Sequence, residues 1–208
     1  ILVNGVIQAI GNEDKKITVK GDFRYSRYFI VSGDSGTKAE IQHAVISHMK
    51  FNSGDFELFS IKDSVFENAP ISPITDQTIL ERNIFRNSEV GIGTASAKIF
   101  HNCFVGEPLF LSHGGLYSSF SASRTIPTEA KYNTFDLDLD SGGHSRWLST
   151  SPNSVLDIDA TQNYWHNISE SELLTKIFDS TKDINLMQTV EIFPMLESPH
   201  PDTPDCGQ

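Results

Sequence analysis

Three hexapeptides, Ile61-Lys-Asp-Ser-Val-Phe66, Leu80-Glu-Arg-Asn-Ile-Phe85 and Ile99-Phe-His-Asn-Cys-Phe104, share the pattern apolar-x-x-Asn/Ser-x-Phe. They begin at positions 61, 80 and 99, so the interval between them is 19 residues. The same template, with some loosening, fits three further stretches, which are 41–46, 130–135 and 160–165. Self-similarity at a fixed short period indicates a repeat architecture.

The spacing within each copy predicts short strands. The Asn or Ser and the aromatic residue are two positions apart, so on an extended chain both point to the same side. A period of 19 or 20 residues is too short for a strand followed by a crossover helix, but it fits a coil of short strands joined by turns. Stacked coils would pair each strand with its equivalent at about 4.8 Å and bury the inward row. The sequence therefore predicts an all-β parallel solenoid.

Charges at outward positions of neighbouring copies test this alignment independently. Opposite charges on adjacent strands are favoured and like charges are disfavoured. With the copies aligned, the facing pairs are Lys62 with Glu81, Asp63 with Arg82, and Glu67 with Arg86. All three pairs are opposite in sign, which supports the register. We expect each pair to lie on a solvated face and to contribute less than about 1 kcal/mol.

Four asparagines hold the same place in successive copies: Asn83, Asn102, Asn133 and Asn163. This column resembles the inward asparagine ladder of right-handed parallel β-helices, the pectin-lyase-like superfamily. A buried side-chain amide carries both a donor and an acceptor, so stacked copies can satisfy one another.

The two ends of the repeat region carry the same resemblance. Residues 160–165, Ala-Thr-Gln-Asn-Tyr-Trp, are similar to the Asn-Tyr/Trp-Trp-Gly segment that closes many such domains, although His166 stands where that motif usually has Gly. Residues 2–11 resemble a first coil. The resemblance implies a single right-handed parallel β-helix over residues 1–197 and a secreted or cell-surface location.

The C-terminal region departs from the repeat. Ser169 followed three residues later by Glu172 forms a capping-box pattern that predicts a short helix, part of an irregular cap over the last coil. Residues 198–208 are rich in proline and are expected to form a disordered tail or linker. Cys103 and Cys206 provide neither a disulfide framework nor the spacing of a structural zinc site, which leaves their redox state open.

Composition narrows the classes of partner. The 208 residues carry a net charge of −11 and a pI of about 4.9, which argues against nucleic acid and anionic membrane surfaces. With 38% hydrophobic and 21% charged residues, the chain is expected to be an ordered globule without membrane insertion. It begins with Ile1 and shows no signal-peptide pattern, so we expect a fragment or a processed product. Carbohydrate, cations and other proteins remain as partners.

Candidate binding residues lie where the repeat interval lengthens to 31 and 30 residues. Function on a rigid scaffold concentrates on such excursions. Flat apolar faces on which sugar rings stack are offered by Tyr117, Phe120 and Trp147. Alternatively, these three side chains pack over the edge of the core and have a structural role.

The run Asp136-Leu-Asp138-Leu-Asp140 is the strongest chemical signal. Alternation with leucine puts the three carboxylates on one face of a strand, which predicts either a solvated acidic face or a calcium site without EF-hand geometry. Apart from this calcium site, we expect no required cofactor. Asp136, Asp138, His144 and Arg146 are the candidate catalytic residues, because glycoside hydrolysis needs two carboxyls and β-elimination needs a base with charge neutralisation.

Three functions follow from these features. The first is an extracellular module, either carbohydrate-binding or structural, within a larger secreted or surface protein. The alternatives are a polysaccharide lyase or glycoside hydrolase acting on acidic polysaccharide, and a protein-interaction module that forms homo-oligomers or contacts neighbouring domains of a larger chain. Fold alone does not decide among them.

Overall fold

A computed structural model describes the chain except at residues 1, 5–6, 22–27, 33–37, 92–95, 107–108, 111–127, 138–147, 150–156, 187 and 208. The described elements are strands of 2 to 13 residues and one helix. In chain order they are β1 (Leu2–Asn4), β2 (Ile7–Ile10), β3 (Ile17–Lys20), β4 (Tyr28–Ser32), β5 (Lys38–Gln42), β6 (Ala44–Ser47), β7 (Lys50–Lys62), β8 (Val65–Glu67), β9 (Ile71–Glu81), β10 (Ile84–Arg86), β11 (Val90–Gly91), β12 (Ser96–Phe100), β13 (Cys103–Gly106), β14 (Leu109–Phe110), β15 (Thr128–Lys131), β16 (Thr134–Leu137), β17 (Leu148–Ser149), β18 (Ile158–Asp159), β19 (Tyr164–Trp165), α1 (Glu170–Lys176), β20 (Ile177–Phe178) and β21 (Val190–Glu191).

The strands form two large parallel sheets. Within the described residues, twelve strands make the larger sheet, whose main path runs β1-β4-β7-β9-β12-β15-β18-β21. Seven strands make the smaller sheet, in the order β3-β6-β8-β10-β13-β16-β19. The chain passes back and forth between the sheets, and neighbours in each sheet come from successive repeats. The predicted all-β class is confirmed, with parallel strands in both large sheets.

The predicted repeat register is confirmed by an aromatic column in the smaller sheet. Its members are the buried rings Phe66, Phe85, Phe104, Phe135 and Trp165, which are strand partners in that order. Successive ring centroids are 5.3, 5.1, 4.9 and 4.1 Å apart, close to the spacing of adjacent strands. Each fully buried ring contributes about 1.5–3 kcal/mol by leaving water, with a further increment from stacking.

The asparagine column forms a continuous hydrogen-bonded ladder. Each Nδ2 donates to the Oδ1 of the next residue at 3.0 Å along the series Asn83, Asn102, Asn133 and Asn163. The backbone N–H groups of the first three members also donate to that next Oδ1, at 2.8 to 2.9 Å. All four side chains are fully buried. The predicted ladder is therefore confirmed, and it satisfies backbone groups that the turns leave without strand partners.

Each ladder residue follows a residue in the left-handed region of backbone space. The residues before the four asparagines have φ between 54° and 60°, where residues other than glycine are uncommon; they are Arg82, His101, Tyr132 and Gln162. His43 and Asp63 have φ of 50° at the same place in two earlier repeats. The ladder side chains hold these turns by binding backbone groups of adjacent repeats. We call these left-handed residues together the turn column. The turn column presents one side chain per repeat beside the smaller sheet.

The three predicted charge pairs are all present. Lys62 Nζ lies 2.7 Å from Glu81 Oε2, and Arg82 Nε lies 2.7 Å from Asp63 Oδ1. The third pair, Arg86 with Glu67, is longer at 3.8 Å. The hydrogen bond from Lys62 lowers the pKa of Glu81.

The helix α1 begins at the predicted cap. Ser169 accepts a hydrogen bond from the Glu172 backbone, and the Glu172 side chain accepts one from the Ser169 backbone. Leu173 is buried against the rest of the protein. Across the described part of the chain, no helix is both long enough and apolar enough to cross a bilayer.

Candidate functional site

A disulfide fastens the C-terminal segment, residues 198–207, to the smaller sheet. Cys103, fully buried in β13, is bonded to Cys206 across a sequence separation of 103 residues, with the two Cα atoms 5.6 Å apart. The proline-rich composition predicts a disordered tail, but the structure holds this segment against the repeats. The division at residue 197 stays a prediction.

Hydrogen bonds also fix the C-terminal segment, one before the disulfide and one at Cys206 itself. Thr203 Oγ1 donates to the Tyr132 carbonyl at 2.6 Å, and Arg86 Nη2 donates to the Cys206 carbonyl at 3.2 Å. Gly207 has a φ of +70°, and a Cβ there would lie 2.6 Å from Arg86 Nη2. The positive φ is the reason that glycine is favoured here, because the Arg86 guanidinium is the end of a flexible side chain and could move away from a Cβ.

A cluster of rings and a carboxylate forms where this segment crosses the turn column. The rings of His101 and Tyr132 stack, with centroids 5.2 Å apart, and His200 packs against them at 4.6 and 4.9 Å. His200 Nδ1 lies 3.9 Å from Asp202 Oδ2 and accepts a hydrogen bond from the Asp202 backbone at 3.2 Å. We refer to His101, His200 and Asp202 as the histidine cluster.

The histidine cluster has the donor set of a metal site. One nitrogen or oxygen atom from each of its three residues lies within 4.8 Å of the others. Within the described residues, His101 Nδ1 is buried and has no hydrogen-bond partner. Burial, and then the charge of His200, lower the pKa of His101.

Two grooves share Pro201, Thr203 and Pro204 as a common wall. The first groove, about 410 Å³, also contains Asp63 and Arg82. These two residues are already paired with each other. Burial opposes ionisation of Asp63, but the hydrogen bonds and charge of Arg82 outweigh it and lower the Asp63 pKa.

The second groove, about 590 Å³, combines an aromatic ring with carboxylates. Tyr164 and His166 line it from the end of the smaller sheet, with the Tyr164 hydroxyl 3.2 Å from His166 Nδ1. Asp136 lines it from β16, and Asp205 lines it from the C-terminal segment. This groove therefore offers a ring beside several hydrogen-bonding groups, an arrangement suited to a polyhydroxylated ligand.

Of the candidate binding, metal and catalytic residues named from the sequence, Asp136 lies within the described part of the chain. It is half-buried in β16 and lines the second groove. The remaining candidates lie outside the described residues: Tyr117, Phe120, Asp138, Asp140, His144, Arg146 and Trp147. The calcium site, the catalytic set and the three sugar-stacking aromatic residues therefore stay predictions.

Sequence reasoning missed the histidine cluster and the pairing of Cys103 with Cys206. Two signals were present, namely an even cysteine count and the short run Pro-His-Pro-Asp at 199–202. Neither gives a spatial position, because His101 and His200 come together only when the C-terminal segment docks. The family-type ligand spacings that mark zinc sites are absent from this chain.

Comparison with known proteins returns no matching family model, no matching curated protein and no matching solved structure. The two parallel sheets are compatible with a parallel β-helix-like fold, and the comparisons assign no family.

Proposed function

We propose that this chain is a right-handed parallel β-helix module of a secreted or cell-surface protein, and that it binds carbohydrate in the second groove. The strand register, the aromatic column and the asparagine ladder support successive coils stacked at one strand spacing. Such a stack presents a rigid side on which a long polymer can lie across several coils.

The disulfide supports the extracellular location. Bonds such as that between Cys103 and Cys206 form and persist in oxidising compartments and are rare in the cytosol of mesophiles. The net negative charge also fits a ligand that is not a polyanion, because binding of a polyanion would need a positively charged protein surface.

The composition of the second groove is the observation that carries the proposal. Tyr164 supplies a flat ring of the kind on which sugars stack, and Asp136 and Asp205 supply carboxylate acceptors for sugar hydroxyls. Because the C-terminal segment forms one wall and is held by the disulfide, little ordering is needed when a ligand binds. Pre-organisation of this kind favours affinity.

The presence of two carboxylates in one groove favours a second candidate function. Glycoside hydrolysis uses a pair of carboxyl groups on either side of the scissile bond, and Asp136 and Asp205 line the same groove. A hydrolase or lyase acting on acidic polysaccharide would release reducing ends or unsaturated products. Incubation with a polysaccharide panel tests this, and an Asp136→Asn variant should abolish any product formed.

A glycan-array screen of the intact, disulfide-bonded chain tests carbohydrate binding. Tyr164→Ala should weaken binding about tenfold, the equivalent of about 1.4 kcal/mol for a lost stacking face. Tyr164→Phe keeps the ring and should retain most of the affinity. Lys16→Ala, a residue of the first groove, serves as the control and should leave binding unchanged.

The same screen separates the remaining alternatives. Loss of binding in Trp147→Ala together with full binding in Tyr164→Ala would place the site on the excursions and refute the second groove. No binding to any glycan would favour a structural or protein-interaction role, including contact with another copy or a neighbouring domain.

A further inference from the structure

We propose that His101, His200 and Asp202 bind a divalent transition metal of the Zn²⁺ type, which clasps the C-terminal segment to the turn column. The proposed ligands include none of the aspartates at 136–140, and His200 also lines the second groove. Two imidazoles and one carboxylate are a donor set that Zn²⁺ accepts, with a fourth position left for water.

The distances in the histidine cluster are compatible with a single ion. Ligands on one tetrahedral zinc lie about 3.4 Å apart, given metal–ligand bonds of about 2.0–2.2 Å. The three donor atoms already lie within 4.8 Å of one another, and His200 Nδ1 is 3.9 Å from Asp202 Oδ2. An ion bound at His200 Nδ1 would replace the 3.2 Å hydrogen bond that this nitrogen accepts from the Asp202 backbone. The Asp202 side chain is 70% exposed, so its carboxylate can rotate to close the remaining distance.

The state of His101 gives an independent reason for a ligand. Among the described residues its buried Nδ1 has no hydrogen-bond partner, and buried polar atoms in folded proteins are rarely left unpaired. Stacking on Tyr132 restricts the orientation of the ring. A cation coordinated at Nδ1 would supply the missing partner of this nitrogen.

The two halves of the site are brought together by structure already present. His101 lies two residues before Cys103, whose disulfide to Cys206 holds the segment that carries His200 and Asp202. The hydrogen bond from Thr203 to the Tyr132 carbonyl fixes the same segment one residue after Asp202. This tethering raises the effective concentration of the second pair of ligands at the first.

Metal binding by the intact, disulfide-bonded chain tests the proposal. After treatment with a chelator, the protein is titrated with Zn²⁺ against a competing chromophoric indicator, and Co²⁺ is added separately to detect visible ligand-field absorption. We expect one equivalent to bind. A hundredfold excess of Zn²⁺ over its dissociation constant should raise the melting temperature by roughly 5 °C.

The variants assign the binding to the histidine cluster. His200→Gln and Asp202→Asn should each weaken Zn²⁺ binding by about tenfold or more, and both positions lie on the C-terminal segment rather than in the core. His43→Gln is the matched control, because His43 occupies the same left-handed turn position as His101 in an earlier repeat. It should bind Zn²⁺ as the wild type does.

Three results would overturn the proposal. One is the absence of Zn²⁺ and Co²⁺ binding at micromolar protein and metal. The other is binding that persists unchanged in both His200→Gln and Asp202→Asn, which would show an adventitious site elsewhere. A loss equal in His43→Gln and His200→Gln would likewise refute a specific site.

Discussion

Replacement of Asn102 by alanine removes the middle of the asparagine ladder. Asn102 Oδ1 accepts the backbone N–H of Asn83 at 2.9 Å and its Nδ2 at 3.0 Å. Asn102 Nδ2 in turn donates to the Leu80 and Phe100 carbonyls and to the next ladder residue. The substitution leaves the buried Asn83 N–H without its acceptor, while Asn83 Nδ2 keeps a bond to a backbone carbonyl.

These contacts set the expected magnitude. A buried donor without a partner costs about 1–3 kcal/mol, and the lost hydrogen bonds add about 1 kcal/mol. We therefore expect Asn102→Ala to lower the free energy of unfolding by about 2–4 kcal/mol. Urea or guanidinium denaturation measures this change through the midpoint and the slope of the transition.

The chain itself supplies a control for this experiment. Ser64 occupies the ladder position one repeat before Asn83, where its Oγ accepts the Ala44 N–H at 3.0 Å and donates to a carbonyl two residues earlier. Asn102→Ser preserves these two kinds of contact and should lose markedly less stability than Asn102→Ala. Equal losses in the two variants, or a change near zero in both, would refute the role assigned to the ladder.

Two further predictions concern the disulfide and the charge pairs. Cys206→Ser should lower stability by about 2–4 kcal/mol and expose residues 198–207 to proteolysis, measured by denaturation and limited digestion; a segment that stays equally resistant would show that the other contacts suffice. The hydrogen bond from Lys62 lowers the pKa of Glu81 in the folded chain. The ionised Glu81 therefore stabilises the fold fully above its unfolded pKa of about 4.3, and this stabilisation is lost as the pH falls through the folded pKa. Glu81→Gln should therefore reduce the acid sensitivity of unfolding, by less than about 1 kcal/mol for so exposed a pair, and an unchanged pH profile would contradict this.

The repeat could be read from the sequence because its determinants are local and periodic. Parallel strands in register place equivalent positions side by side, so Phe85 meets Phe66 and Phe104, and a fixed interval in sequence becomes a fixed neighbour in space. The charge pairs follow from the same alignment. Hydrogen bonding in the ladder was predictable for the same reason, since identical amides at the same position of successive repeats can pair with each other or with the turns.

The sequence alone thus determined the strand class, the register of the repeats and the start of the helix at Ser169. The tertiary structure decided where residues 198–207 lie, and with them the Cys103–Cys206 bond, the two grooves and the histidine cluster. The physical reason is the range of the interactions. Docking of the C-terminal segment depends on disulfide, ring and hydrogen-bond contacts with residues up to 120 positions away. A short repeat in the sequence carries no information about such distant contacts.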